Sequence, residues 1–119
     1  MGYNECMAKI RNYCGPIFLE INNGQLREYC GPIKYEVSNG NIRTYCGPNI
    51  YSIDGDNIRR YCGPTVLTFD GTNVRRYCGP IIATVERNYI RKYCGPILYE
   101  IDGFLNHQEL MMLIALLFA

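Results

Sequence analysis

The sequence predicts a mostly β domain: six 16-residue β-hairpin repeats forming a closed 12-stranded antiparallel barrel around a C-terminal hydrophobic α-helix. Three observations predict it. The tetrapeptide Tyr-Cys-Gly-Pro starts at Tyr13, Tyr29, Tyr45, Tyr61, Tyr77 and Tyr93, 16 residues apart each time without insertion or deletion. Two strand-like segments flank each copy. The last ten residues, Leu110 to Ala119, are all apolar.

Each Pro is followed by five residues rich in β-branched and aromatic side chains: 17–21, 33–37, 49–53, 65–69, 81–85 and 97–101. Their odd positions are apolar, as in Ile17, Leu19 and Ile21, while Glu20, Lys34, Glu36, Ser52 and Glu100 occupy even ones. That alternation buries one face and wets the other. Four turn-favouring residues follow, such as Asn22-Asn23-Gly24-Gln25 and Asp54-Gly55-Asp56-Asn57, because Gly, Asn and Asp tolerate positive φ. A second strand then runs into the next Cys-Gly-Pro, which turns the corner to the next hairpin. In this second strand the aliphatic residue and the Tyr stand three apart, which suggests a bulge before each Cys.

The repeats occupy residues 8–103 and the helix 104–119 of a single domain. A half-repeat precedes residue 17 and another follows residue 96, so five full units and two halves make 12 strands, and pairing the first with the last removes both sheet edges. The alternative is a β-solenoid with one 16-residue coil per repeat, capped by the helix.

Asn106 and Glu109 have the spacing of an N-cap and its reciprocal partner, so a helix is expected from His107. A helix apolar on every side must be buried on every side. At ~1.5 Å per residue it spans about 20 Å, short of the ~30 Å of a bilayer core. A closed sheet of this size, with strands ~4.8 Å apart and tilted ~40°, has a radius near ~12 Å, room for one helix. The chain is therefore not expected to be transmembrane, and the helix is expected inside the barrel.

This arrangement resembles the tubby-like fold shared by tubby proteins, LURP-one-related proteins and phospholipid scramblases, a closed barrel around a hydrophobic C-terminal helix. The Ile-Asp-Gly-x-Asn-Ile stretch at Ile53 to Ile58 also looks like short repeats of uncharacterised bacterial β proteins. The first resemblance implies a lipid- or anion-binding role and names no functional residue here.

Twelve Lys and Arg stand against eleven Asp and Glu, a net charge of +1 that argues against nucleic acid as the partner. The N-terminus shows no basic stretch followed by an apolar run, and seven cysteines, an odd number, suit a reducing compartment; a cytoplasmic location is expected. Cys14, Cys30, Cys46, Cys62, Cys78 and Cys94 recur at one position of the corner and read as small, buried or semi-buried structural thiols. In an antiparallel barrel equivalent cysteines stand two strands, about 9.6 Å, apart, beyond the ~7 Å Cα limit of a disulfide and too wide for a shared metal. No metal or other cofactor is expected.

Arg11, Arg27, Arg43, Arg59, Arg75 and Arg91 also recur and are the candidate anion- or partner-binding row, with Arg60, Arg76 and Lys92 adding charge beside Tyr61, Tyr77 and Tyr93. The bland reading sets each Arg against Tyr or against acids such as Glu20, Glu36 and Glu100 on adjacent strands. For catalysis there is one histidine, His107, and no nucleophile constellation, phosphate loop or carboxylate pair, so no enzyme is expected. The expected function is a structural or interaction module with a protein partner or self-association. The alternative is a lipid- or anion-binding protein, with anionic lipid as ligand.

Overall fold

A computed structural model of the chain describes residues 7–119. The strands are β1 (Met7–Asn12), β2 (Ile17–Asn22), β3 (Gln25–Glu28), β4 (Ile33–Ser38), β5 (Asn41–Thr44), β6 (Asn49–Asp54), β7 (Asn57–Arg60), β8 (Thr65–Phe69), β9 (Asn73–Arg76), β10 (Ile81–Glu86), β11 (Tyr89–Lys92) and β12 (Ile97–Gly103). The single helix α1 spans His107–Phe118. Each strand pairs antiparallel with its neighbours in sequence, and β1 pairs with β12, so the sheet is a closed barrel and the solenoid is excluded.

The hairpin turns work as their residues dictate. At the β2–β3 and β4–β5 turns both central residues have positive φ, Asn23 at 54° with Gly24 at 78°, and Asn39 at 52° with Gly40 at 78°. That pairing suits the right-handed twist of the strands. A Cβ on Gly24 would stand 2.9 Å from the Val37 carbonyl oxygen, so a side chain there would collide with the next hairpin. The same crowding is productive for the backbone: the Gly24 carbonyl accepts from Val37 N–H at 2.8 Å, and Gly40, Asp56, Thr72 and Asn88 serve the following hairpins likewise.

Six equivalent bulges shape the other end, and they lie on the first strand of each repeat rather than before the Cys. Ile10 pairs with Leu19 and Arg11 with Ile17, leaving Phe18 as the extra residue. The same skip passes over Lys34, Ile50, Val66, Ile82 and Leu98. The bulge reverses the expected face of the strand start. Ile17, Ile33, Thr65 and Ile97 sit opposite arginines and outside the core, while Phe18, Ile50, Val66 and Ile82 pack against it. Such bulges bend and twist a strand at a barrel rim, which closure here requires.

The core is the inner wall plus the helix. Ile10, Ile42, Ile58, Leu67, Val74 and Ile90 are fully buried, as are Met111, Met112, Leu113 and Ile114. The helix enters at the hairpin-turn end with the expected capping box: Asn106 Oδ1 accepts from Glu109 N–H at 2.8 Å, and Glu109 Oε1 accepts from Asn106 N–H at 3.1 Å. Burial declines toward its far end, where Leu116, Leu117 and Phe118 are half-buried and Ala119 is exposed. No helix is long and apolar enough to cross a membrane among the described residues.

Candidate functional site

Every Cys-Gly-Pro corner is built alike. In the corner after β3 the Gly31 N–H donates to the Glu28 carbonyl at 2.8 Å, which makes Cys30 the third residue of a tight turn. That position takes positive φ in type II turns and usually holds Gly. The six corner cysteines adopt it nonetheless, with φ between 54° and 59°. Gly31 then follows where a Cβ would meet the Cβ of Glu28 at 3.1 Å. This backbone turns all six thiols outward, and they are exposed and free, which corrects the expectation of buried or semi-buried cysteines. A tight turn offers no cover for its third residue, whatever that side chain's polarity. Among the described residues no cluster of His, Cys, Asp or Glu has metal-binding geometry. Cys6 lies outside the described residues.

Three of the six repeated arginines have a local task. Arg27 Nε donates to the Gly31 carbonyl at 3.1 Å, Arg43 donates to Gly47 through Nε at 3.2 Å and Nη2 at 3.1 Å, and Arg59 Nε donates to Gly63 at 3.2 Å. In these three repeats the guanidinium thus braces the corner four residues ahead. The Nε atoms of Arg11 and Arg91 are shielded from water without a partner. The Tyr that precedes each Cys is pinned by its backbone, as where Tyr29 N–H donates to the bulged Phe18 carbonyl at 3.1 Å. Its ring lies outside: the six tyrosines are 44% to 56% exposed. Tyr13 meets Tyr89 edge to face at 6.2 Å, and Lys9 Nζ stands 5.8 Å from the Tyr29 ring. The adjacent Cys14, by its charge and by a hydrogen bond, lifts the Tyr13 phenol above its usual 10.0.

Register divides the arginine row into two sectors. Arg11 faces Glu100, Arg27 faces Glu20 and Arg43 faces Glu36 across the ladder. Arg59, Arg75 and Arg91 face Ser52, Thr68 and Thr84, so the β6–β11 sector has no carboxylate directly opposite. The residue after each Arg repeats the division. It is Asn12, Glu28 and Thr44 in one sector, but Arg60, Arg76 and Lys92, all exposed, in the other. Glu28 is held by Lys34 at 3.6 Å, and Arg91 by Glu86 at 3.8 Å. The rim of β7, β9 and β11 therefore carries Arg59, Arg60, Arg75, Arg76, Arg91 and Lys92 beside exposed Tyr61, Tyr77 and Tyr93.

The helix ends at the corner end of the barrel, where a cavity of about 330 Å³ opens between Phe18, Leu19, Lys34, Tyr35, Leu116 and Leu117, on the β2–β4 side rather than at β7, β9 and β11. His107 is far from it: its Nε2 stands 3.4 Å from the Gly55 carbonyl at the turn end. The sequence reading found the arginines and cysteines but not the buried Glu109 as a tie to the wall. Its Oε2 accepts from Gly24 N–H at 2.7 Å. The capping-box spacing was the only available signal for that residue. No family model, curated protein or solved structure matches the chain.

Proposed function

We propose that the protein is a non-enzymatic interaction module that contacts an anionic partner through the basic, tyrosine-studded rim of β7, β9 and β11. The observation that carries this reading is the sector division. Six cations gather at one end, where Arg59, Arg75 and Arg91 face Ser52, Thr68 and Thr84 and none of the six faces a carboxylate across its hairpin, whereas the three remaining arginines of the row each face a glutamate. Cations interleaved with exposed aromatic rings suit phosphate or carboxylate groups carried on a larger surface. An anionic lipid surface is a second reading, favoured by the half-buried Leu116, Leu117 and Phe118 at the same end.

The test is titration of the full chain with inorganic polyphosphate, followed by tyrosine fluorescence, since the chain has no Trp. Binding should weaken steeply with salt, and the combined substitutions Arg60→Gln, Arg76→Gln and Lys92→Gln should reduce affinity at least about tenfold. Equal affinity for that variant would refute the reading. Vesicles with and without anionic headgroups report on the lipid version.

A further inference from the structure

The β6–β11 sector has a second end of opposite sign. At the hairpin turns Asp54, Asp56 and Asp70 are exposed, as is Glu86 at the end of β10, with Arg87 as the one cation among them. The β6–β7 and β8–β9 hairpins thus have acid at the turn and base at the corner, a charge separation along the barrel axis, while in β10–β11 Arg87 offsets Glu86, which also lies 3.8 Å from Arg91. Apolar surface is divided in the same sense. The turn end exposes Phe104 (68%) beside a cavity of about 210 Å³ lined in part by Val85, Ile101, Leu105 and Leu110. The corner end presents exposed tyrosines and the half-buried helix tip.

We infer that the partner of the basic rim is the acidic turn end of a second copy of this chain, so that barrels associate head to tail. This rests on the rim being a contact surface for anions. A shift of one copy along the barrel axis brings the corner end, with Arg60, Arg76 and Lys92, against the next copy's turn end, with Asp54, Asp56 and Asp70. A two-fold pairing of equal ends would instead oppose like charges, which disfavours closed dimers. A head-to-tail contact leaves a free basic end and a free acidic end, so association continues into open chains.

The experiment is sedimentation of the full chain in reductant across a concentration series at low and high salt, with two variants neutralised at exposed positions. One is Arg60→Gln with Arg76→Gln; the other is Asp54→Asn with Asp56→Asn. Oligomers that grow with concentration are expected at low salt and should dissociate at high salt. Each variant alone should associate at least about tenfold more weakly. An equimolar mixture of the two should form a one-to-one dimer that cannot grow, because each contributes one intact end. A chain that stays monomeric at low salt, variants that associate like the parent, or a mixture without dimer would each overturn the inference. Polyphosphate binding by a monomer that never self-associates would leave the rim as an anion surface and remove only the second copy as its partner.

Discussion

The two ends of the barrel are built by different means. At the turn end, three consecutive helix residues reach three successive hairpins: His107 Nε2 lies 3.4 Å from the Gly55 carbonyl, Gln108 Oε1 accepts from Gly40 N–H at 3.4 Å, and Glu109 Oε2 accepts from Gly24 N–H at 2.7 Å. These contacts occur once in the molecule. At the corner end six near-identical units each close their own turn, the Gly N–H donating to the carbonyl three residues back, and the helix arrives there with apolar side chains only. The repeat therefore supplies a wall that is locally self-sufficient. The unrepeated residues decide how deep the helix sits and which way it is rotated.

The strongest way to break this comparison is to remove the plug. Deleting residues 107–119 takes Met111, Met112, Leu113 and Ile114 out of the core, and the truncated chain is expected to be insoluble or to melt without cooperativity by circular dichroism. A soluble truncation with a sharp thermal transition would mean that the wall stands alone. Within the intact chain, the helix should be most sensitive at its middle. Leu113→Ala, at a fully buried site, should cost about 3 kcal/mol in urea denaturation, against about 1 kcal/mol for Leu117→Ala near the open rim. Equal losses would show that the two ends pack alike.

The polar tie can be tested separately. Glu109→Ala leaves the Gly24 and Asn106 N–H groups without their acceptor and should cost about 2 kcal/mol, while Glu109→Gln keeps one acceptor oxygen and should cost about half of that. At the corners the matching probe is the backbone. Cys62→Val puts a β-branched residue at φ 58° and should cost about 1–2 kcal/mol, whereas Cys62→Gly should stay within about 0.5 kcal/mol of the parent. The smallest effect belongs to pH. The N–H groups of Asn73 and then Thr72 hold the Asp70 carboxyl below its ordinary 3.8. A depressed folded value means that its stabilisation is present above pH 3.8 and is lost as pH falls through the folded value. Asp70→Asn should therefore narrow the gap between neutral and acid stability slightly, and a gap unchanged from the parent would count against it.

Much of this architecture was legible because local and global patterns agree. The 16-residue period located every strand, the two half-repeats foretold the β1–β12 closure, and Asn106 with Glu109 marked the helix start. The bulges were not legible at their true positions. Ile17, Leu19 and Ile21 read as one regular face, and only the ladder reveals that Phe18 is skipped. The trace of the irregularity lay in Phe18, Ile50, Val66, Ile82 and Leu98, apolar at even positions where the alternation calls for polar residues, while Lys34 fits the regular pattern and concealed it. The exposure of the thiols followed from backbone geometry rather than polarity. Glu20, Glu36 and Glu100 were legible as acids beside the arginine row, but that they stand opposite Arg27, Arg43 and Arg11 alone, with Ser52 opposite Arg59, needed the register. The Glu109 bond to Gly24 joins residues 85 apart in sequence, and no local pattern announces it.

The position of α1 after all twelve strands also governs how the chain can acquire its structure during synthesis. Each hairpin can form as soon as its own residues leave the ribosome, since its contacts are local. The inner face of those hairpins, with Ile10, Ile42 and Ile58 among its members, has nothing to fold around until residues 107–119 emerge. Over the same interval β1 waits with an open edge for β12. Nascent chains thus pass through a stage of finished local pieces and an unfilled interior, the stage at which chaperones bind and aggregation begins. Ribosomes stalled before the helix codons should therefore carry this protein in its most protease-sensitive form.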